Sequence, residues 1–256
     1  MKALVLAAGR GKRLGDHPGL GEHPDEGNKC MLRLFGKPLV QYSLENAVRA
    51  GVSEIVVVVG YRAEAVINEF GIESSGVRIR YVIQEDPRGL VHAIECAKDQ
   101  IGDNDFMLLL ADEILWSPHH EEMVRKFEEE ELFVICGVVR EERQDEIRKT
   151  YALIEDDRDR RVYRLIEKPR NPPNAVRGTG NVIFRAGIFD YVDLTPINQS
   201  RGEKELPDLI QCAIDDGHPV KAFDIGDGYV NINTAADIEI AEAENAEHFG
   251  NEHSPG

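Results

Sequence analysis

Residues 2–15, KALVLAAGRGKRLG, place an apolar run of strand length directly before a loop of small residues, glycines and cations. Runs of this kind, rich in Val, Ile and Leu, are typical of strands covered on both faces, as in a parallel sheet. We predict strands in this run and in four similar ones, at residues 3–7, 55–59, 79–83, 106–110 and 132–138.

Segments with the period of a helix separate these strands. Residues 38–50 carry apolar side chains at the spacing of one helix face, and Gly51 follows as a helix-ending residue. Residues 90–97 and 121–130 predict two further helices. Strands that alternate with helices predict an α/β fold with a doubly wound, mostly parallel sheet of Rossmann-like type.

The second half of the chain has shorter apolar runs and more polar residues. Residues 151–154 and 162–166 flank a charged turn and predict a β-hairpin. Short strands are predicted at 182–184 and 220–223, with a helix at 206–214 between them. We therefore expect a small β-rich insertion on the α/β core.

The last predicted helix has a defined start. Thr234 is expected to be its N-cap, with Asp237 three residues later as the acidic member of a capping box. We expect residues 250–256 to form a flexible tail.

Composition argues against two classes of partner. The chain has 256 residues, and 30 Lys and Arg against 47 Asp and Glu give a formal net charge of −17. This charge repels a phosphate backbone and an anionic membrane surface, so we expect no nucleic-acid and no membrane partner. No apolar run reaches the ~20 residues of a membrane helix, and the N-terminus lacks the pattern of a signal peptide. Four scattered cysteines without CxxC spacing indicate reduced thiols and a cytoplasmic protein.

The loop after the first strand indicates an anion site. Gly9 and Gly11 let the backbone approach a phosphate, and successive N–H groups can form an anion nest. In this acidic protein, cations lie in and after the loop at Arg10, Lys12, Arg13 and Lys29. The spacing matches neither a Walker A loop nor a dinucleotide fingerprint. A solvated turn stays open, but the clustered cations favour a polyphosphate site.

Two polar residues follow predicted strands. Asp112 comes after strand 106–110, at the edge where open α/β sheets bind ligands, and a carboxylate there suits Mg²⁺. Gln84 follows strand 79–83, and its amide can pair with the edge of a pyrimidine. A surface amide is an equally open interpretation of Gln84.

Taken in chain order, the motifs resemble those of the sugar-phosphate nucleotidyltransferases, a family that includes glucose-1-phosphate thymidylyltransferases and uridylyltransferases. The matching segments are LAAGRGKRL (6–14), KCML (29–32), GKPL (36–39), Gln84 with PRGLVHA (87–93), LLAD (109–112), EKP (167–169), Gly180-Asn181 and YVNINT (229–234). The resemblance implies a glycosyltransferase-A-like fold and condensation of a nucleoside triphosphate with a sugar 1-phosphate, giving a nucleotide sugar and pyrophosphate.

The resemblance also implies roles for individual residues. Arg13, Lys29 and Lys168 would be catalytic, with Arg13 on the leaving pyrophosphate. The nucleotide would bind at Ala7, Ala8, Gly9, Gly11, Gln84 and Gly89. The sugar phosphate would bind at Glu167, Lys168, Gly180 and Asn181. Asp112 and Asn231 would hold Mg²⁺.

The implied organisation is a single nucleotidyltransferase domain over residues 1–249. Residues 1–140 would bind the nucleotide, residues 141–233 the sugar phosphate, and residues 234–249 would form the C-terminal helix. The chain ends soon after this core, so we expect no β-helix or acyltransferase domain of the kind some relatives carry. Partners would be the two small-molecule substrates, and a homo-oligomer stays open.

Three departures from the family pattern leave alternatives open. Asn28 stands where a proline usually precedes the lysine, and the loop 15–28 is longer and more acidic than is common. Asn231 stands where aspartate often holds the metal. Residues 231–234, NINT, are also similar to family members that join CTP to a phospho-alcohol or phosphonate. The alternatives are such a cytidylyltransferase and a non-catalytic nucleotide-sugar sensor.

Overall fold

The computed structural model describes residues 1–9, 11, 14 and 28–249, with side chains up to residue 246. The expected phosphate ligand Arg13 and the expected tail 250–256 lie outside the described residues, as do Arg10 and Lys12.

The strands of the described part, in chain order, are β1 (Lys2–Ala7), β2 (Arg33–Leu34), β3 (Lys37–Pro38), β4 (Ile55–Val59), β5 (Glu73–Ser74), β6 (Val77–Ile83), β7 (Phe106–Leu110), β8 (Glu113–Trp116), β9 (Val134–Arg140), β10 (Tyr151–Glu155), β11 (Val162–Glu167), β12 (Val176–Phe184), β13 (Ile197–Asn198), β14 (Glu203–Lys204), β15 (Val220–Asp224) and β16 (Gly228–Asn231). The α-helices are α1 (Leu39–Arg49), α2 (Ala63–Phe70), α3 (Leu90–Cys96), α4 (Lys98–Ile101), α5 (His120–Glu129), α6 (Gln144–Ile147), α7 (Leu206–Asp215) and α8 (Ala235–Phe249). Within the described ranges, short 3₁₀ helices span Lys29–Met31 and Ala186–Tyr191.

The main sheet has the order β11-β10-β12-β7-β1-β4-β6-β5, and β12 also pairs with β9, which pairs with β15. Strands β7, β1, β4 and β6 are parallel neighbours, as are β9 and β15. Strand β12 runs antiparallel to both β7 and β9. The predicted α/β fold with a mostly parallel sheet is confirmed.

Side chains of β1 alternate between two apolar layers. Leu4 points into a layer shared with Val91 of α3, whereas Val5 points into the opposite layer with Leu44 of α1 and Phe127 of α5. Because both faces of β1 are covered, an all-apolar strand is stable there. The sheet is therefore doubly wound, as the apolar runs predict.

The prediction of strand β12, which contains several polar residues, was too short. Only residues 182–184 were predicted, but the strand begins at Val176, and all nine residues are buried. Its first six residues include Arg177, Thr179 and Asn181, whose polar groups can be buried because they hydrogen-bond or pair with other buried groups. The hairpin of β10 and β11 extends the main sheet through β12.

Smaller differences concern element boundaries. Strand β9 begins at Val134, two residues after its predicted start, and α2 and the ribbon of β8 with β16 were not predicted. The predicted cap of α8 is confirmed, because Asp237 accepts hydrogen bonds from the backbone and hydroxyl of Thr234. All four cysteines are free thiols. Among the described residues, no helix combines the length and apolar character that crossing a bilayer requires.

Candidate active site

Two adjoining clefts open at the edge where the parallel strands end. The glycine cleft, about 370 Å³, is lined by Gly9, Gly11, Gln84 and Gly89, among others. The basic cleft, about 240 Å³, is lined on one side by Lys149, Lys168 and Arg201. Both clefts are also lined by Leu90, Leu110, Asp112, Glu203 and Asn233. Asp112 therefore lies where the two clefts meet.

A buried lysine holds Asp112 at this junction. The Lys29 Nζ lies 2.5 Å from Oδ2 of Asp112 and 3.0 Å from Oδ1 of Asn233. The Lys29 side chain is only 7% exposed, so its charge interacts with these partners and with a ligand in the cleft more than with bulk water. A buried ammonium pays a desolvation penalty unless it is paired, and Asp112 supplies the pair.

Local sequence fixes the position of Lys29. Asn28 accepts a hydrogen bond from the Cys30 backbone and donates one from Nδ2 to the Tyr61 carbonyl. Asn28 thereby anchors the 3₁₀ helix that carries Lys29. A Cβ on Gly11, whose φ is +65°, would lie 2.6 Å from the Lys29 Cβ, so only glycine allows this approach.

Gln84 and Gly89 form the opposite wall of the glycine cleft. Gln84 directly follows β6, and its backbone N–H donates to the Val59 carbonyl. Its side chain contacts His92 at 2.8 Å. Gly89 has a φ of +96°, and a Cβ there would lie 2.6 Å from Oε2 of Glu203. Glycine thus lets the start of α3 approach the second half of the chain.

The basic cleft presents cations that are already paired with carboxylates. Arg201 forms ion pairs with Glu167 and with Glu205, the latter at 2.5 Å. Lys149 pairs with Glu146 at 2.7 Å and with Asp237 at 3.1 Å. Burial raises the pKa of Glu205, with neighbouring acids adding to the effect of burial.

Lys168 has an unusual backbone conformation. Its φ is +42°, in the left-handed region that a branched or long side chain rarely adopts. Its Nζ lies 3.6 Å from Oε1 of Glu167 and is partly exposed. Such strain is frequently kept at functional sites, because the surrounding structure holds the side chain in a required place.

A buried polar network lies beneath the basic cleft. Both carboxylate oxygens of Glu113 accept from the Gly180 backbone N–H, and Glu113 also accepts from Asn181 Nδ2 at 2.9 Å and from the Tyr229 hydroxyl at 2.6 Å. Burial raises the pKa of Glu113 to about 8. The Arg177 guanidinium lies 4.7 Å from the centre of the Tyr229 ring. These bonds fix Gly180 at the wall of the cleft.

Asn181 belongs to this network and does not line the basic cleft. Its Oδ1 lies 2.8 Å from Nε2 of His120, and its side chain is buried. Burial lowers the pKa of His120 to about 4. The structure therefore separates Asn181 from Glu167, Lys168 and Gly180, which lie together in the cleft wall.

The residues expected to hold Mg²⁺ offer oxygen donors. Asp112 supplies a carboxylate, and Asn231 supplies Oδ1, which accepts a bond of 2.5 Å from Nδ2 of Asn233. No cluster of three or more His, Cys, Asp or Glu that could hold a metal occurs in the described ranges. A pair of oxygen ligands fits Mg²⁺, which is usually held by one or two carboxylates together with substrate phosphates and water.

Sequence reasoning missed several polar residues of the clefts. Arg201 and Lys149 lie in the basic cleft, and Asn233, which belongs to the motif YVNINT but was given no role, lies where the clefts meet. The segment 200–205, SRGEKE, carries no apolar period, and only its density of charge beside a predicted helix could have indicated a site.

Comparisons with known proteins agree with this geometry. The family model described as Nucleotidyl transferase matches residues 2–238. The chain belongs to the nucleotidyl transferase family. It is 33% identical over 243 residues to the UTP–glucose-1-phosphate uridylyltransferase AglF of Haloferax volcanii, covering 94% of this chain and 95% of the relative. The chain is therefore a nucleotidyltransferase.

A further relative and a solved structure are also similar to this nucleotidyltransferase. It is 33% identical over 223 residues to the low-salt glycan biosynthesis nucleotidyltransferase Agl11 of Haloferax volcanii, a match that covers 86% of this chain and 59% of the relative's length. A structure of UDP-glucose pyrophosphorylase complexed with UDP-glucose superposes with a TM-score of 0.82 at 22% identity, covering 96% of this chain and 98% of that one. The fold is thus shared with that enzyme.

Proposed function

We propose that this nucleotidyltransferase condenses a nucleoside triphosphate with a sugar 1-phosphate, giving a nucleotide sugar and pyrophosphate. The observation that carries the proposal is the junction of the two clefts at Asp112 and Lys29. One cleft has a glycine backbone suited to a triphosphate, and the other has cations suited to a second phosphate.

The reaction joins two polyanions, so positioning and charge neutralisation supply most of the catalysis. An oxygen of the sugar phosphate attacks the α-phosphorus, and the bond from that phosphorus to the β-phosphate oxygen breaks as pyrophosphate leaves. In our proposal Lys29 contacts the triphosphate close to this bond, and Arg13 binds the pyrophosphate. No protein nucleophile is required, because the attacking oxygen belongs to the substrate.

The acceptor phosphate is assigned to Lys168 and Arg201. Both cations are paired with Glu167, so an incoming phosphate would exchange one anionic partner for another without leaving a buried charge alone. Once released, Glu167 can accept hydrogen bonds from sugar hydroxyls. The backbone of Gly180 would lie against the sugar ring.

Asp112 and Asn231 are assigned to Mg²⁺. The ion, when bound, would neutralise phosphate charge during the displacement. Lys29 keeps the Asp112 carboxylate at the junction, and Asn233 orients the Asn231 amide. We also propose a cytoplasmic location, which the four free thiols and the small-molecule substrates favour.

The test is a matrix of nucleoside triphosphates against sugar 1-phosphates, phospho-alcohols and phosphonates, read as pyrophosphate release in the presence of Mg²⁺. We expect release with at least one sugar 1-phosphate. Release only with CTP and a non-sugar acceptor would replace the proposal with the cytidylyltransferase. Tight binding of nucleotide sugars without release from any pair would identify a sensor.

A further inference from the structure

A chain of side chains behind the glycine cleft determines how the Gln84 amide faces a nucleotide. Gln84 is 6% exposed and lines the cleft, and the end of its amide drawn as Nε2 lies 2.8 Å from Nδ1 of His92 and 3.3 Å from the Gly89 carbonyl oxygen. The other ring nitrogen of His92, Nε2, lies 2.6 Å from a terminal nitrogen of Arg88. The three side chains therefore form one line from solvent to the cleft.

The chemistry of Arg88 fixes the proton on His92. A guanidinium has only donors, so Nε2 of His92 must accept. The Sγ of Cys96, 3.7 Å from the same nitrogen, can donate to it as well. A neutral imidazole carries a single N–H, which these contacts place on Nδ1.

The proton on His92 in turn fixes the Gln84 amide. The Nδ1–H donates, so the Gln84 atom beside it must be the carbonyl oxygen, and the amide NH₂ then faces the cleft. The two ends of an amide have nearly the same shape, so hydrogen-bonding partners decide its orientation. Exchanging the two ends gives up the long 3.3 Å bond from Nε2 to the Gly89 carbonyl, whereas keeping Nε2 beside His92 would leave two donors facing each other at 2.8 Å. The shorter contact decides the orientation, so we assign the carbonyl oxygen to the end beside His92.

We propose that His92, held by Arg88, is a positioning residue that makes Gln84 present N–H donors to the base of the nucleotide. This inference rests on the proposed function of the glycine cleft. An N–H donor at this wall can hydrogen-bond to a carbonyl oxygen of a base. It cannot hydrogen-bond to an amino group, because the amino group is also a donor. The site therefore selects bases with a carbonyl on the edge that Gln84 reads, such as uracil, thymine or guanine, over cytosine and adenine.

The first test measures the His92 proton directly. Long-range ¹⁵N–¹H correlation spectra of the whole protein, with the His92 signal assigned through the His92→Asn variant, distinguish the two tautomers. We expect the Nδ1–H tautomer in the wild type and a larger share of the Nε2–H tautomer in Arg88→Met. A wild type that carries the proton on Nε2 overturns the proposal.

The second test measures base selectivity. At a fixed sugar 1-phosphate, kcat/KM is compared for UTP, dTTP, GTP, CTP and ATP. Gln84→Glu presents only acceptors, so we expect its preference for carbonyl-bearing over amino-bearing bases to fall by about 10-fold or more. His92→Phe frees the amide and should lower the preference in the same direction, with the KM for the sugar 1-phosphate unchanged.

Conservative and distant variants separate positioning from general damage. His92→Asn keeps a donor near the Nδ1 position and should retain most of the selectivity, and Arg88→Lys should do the same. Arg125→Met removes an exposed arginine of α5 and should leave selectivity unchanged. Equal losses for all five nucleotides in Gln84→Glu and His92→Phe contradict the proposal.

The two proposals can fail separately. If no pair of substrates releases pyrophosphate, the proposed reaction is wrong, and binding of UMP and CMP by calorimetry replaces the kinetic comparison. In that case the tautomer and a preference for UMP that Gln84→Glu removes still support the positioning role. Equal affinity of the wild type for UMP and CMP contradicts it.

Discussion

The two clefts meet at Asp112, but they differ in the residues that support them and in the exposure of their cations. The glycine cleft lies at the ends of parallel apolar strands, and the cation that lines it among the described residues is the buried Lys29. The basic cleft lies over buried polar groups and contains cations that carboxylates already neutralise. The Lys29 ammonium is also paired with a carboxylate, that of Asp112, but it is 7% exposed, whereas the Lys168 and Arg201 side chains are 41% and 33% exposed. A nucleotide thus meets a cation held in place by burial, whereas an acceptor phosphate meets more exposed cations that must exchange carboxylate partners. We expect mutations to act mainly on turnover in the first cleft and on KM in the second.

The largest effect is expected at Lys29. Lys29→Met removes a charge-assisted contact and leaves Asp112 without its buried partner, so kcat should fall by roughly 10²- to 10³-fold. The assay is pyrophosphate release at saturating substrates. The matched control is Lys98→Met, which removes an exposed lysine at the start of helix α4. Wild-type kcat in Lys29→Met would show that the glycine cleft does not hold the reacting phosphates.

The next effect concerns the polar network under the basic cleft. Because burial lowers the pKa of His120 to about 4, the folded state binds fewer protons than the unfolded state between pH 4 and the ordinary value of 6.5. The free energy of unfolding should therefore fall as pH drops through this window, by about 2 kcal/mol from this residue at pH 5. His120→Gln keeps a donor to Asn181 but does not titrate.

The measurement is urea unfolding of wild type and His120→Gln at pH 7 and pH 5. We expect the wild type to lose about 2 kcal/mol more than the variant. An NMR titration of His120 checks the pKa separately. Equal losses in the two proteins would mean that the network under the basic cleft does not exclude a charged imidazole.

The apolar strands at the glycine cleft and the polar strand β12 under the basic cleft also differ in how well they could be predicted from the sequence. Strands β1, β4 and β7 are covered on both faces, so their burial selects apolar residues and the pattern is visible. Strand β12 is equally buried, but its first half is stabilised by hydrogen bonds and ion pairs between distant segments. Arg177, for example, pairs with Glu141 and Glu146, and no local periodicity records such partners.

The site residues differ in the same way: some follow local motifs, and others are placed by tertiary contacts. Gln84 and Asp112 were predicted because each closely follows a recognisable apolar strand, and Lys29 was predicted because it opens the motif KCML. The family resemblance implied that Asn181 lies with Gly180 beside the sugar, but alternation along β12 points the Asn181 side chain away from the cleft and toward His120. Arg201 lies in a polar turn whose position depends on the tertiary fold.

A smaller effect is expected in the basic cleft itself. Arg201→Met removes one phosphate donor but also frees Glu167 and Glu205, so we expect KM for the acceptor to rise by about 10-fold, the value of one charge-assisted bond. The kcat should change less than in Lys29→Met. Arg164→Met, on the exposed face of β11, is the matched control. A loss confined to kcat, with KM unchanged, would contradict the division between the two clefts.

The smallest effect concerns charge at the junction of the clefts. Lys29 compensates the Asp112 carboxylate at 2.5 Å, and Asn231 adds no charge, so these three side chains together carry no net charge. We expect Mg²⁺ to bind the nucleotide-free form weakly and to arrive mainly with the nucleotide, whose phosphates supply negative charge. Asn231→Asp adds a carboxylate oxygen that can still accept from Asn233. It should tighten Mg²⁺ binding to the nucleotide-free protein by about fivefold, or ~1 kcal/mol, with a smaller gain when nucleotide is bound.

Calorimetric titration with MgCl₂ measures Mg²⁺ affinity with and without nucleotide, and Asn68→Asp on the exposed face of α2 controls for the overall change in charge. Tight Mg²⁺ binding to the nucleotide-free wild type, or an Asn231→Asp affinity equal to that of Asn68→Asp, would place the metal away from this junction.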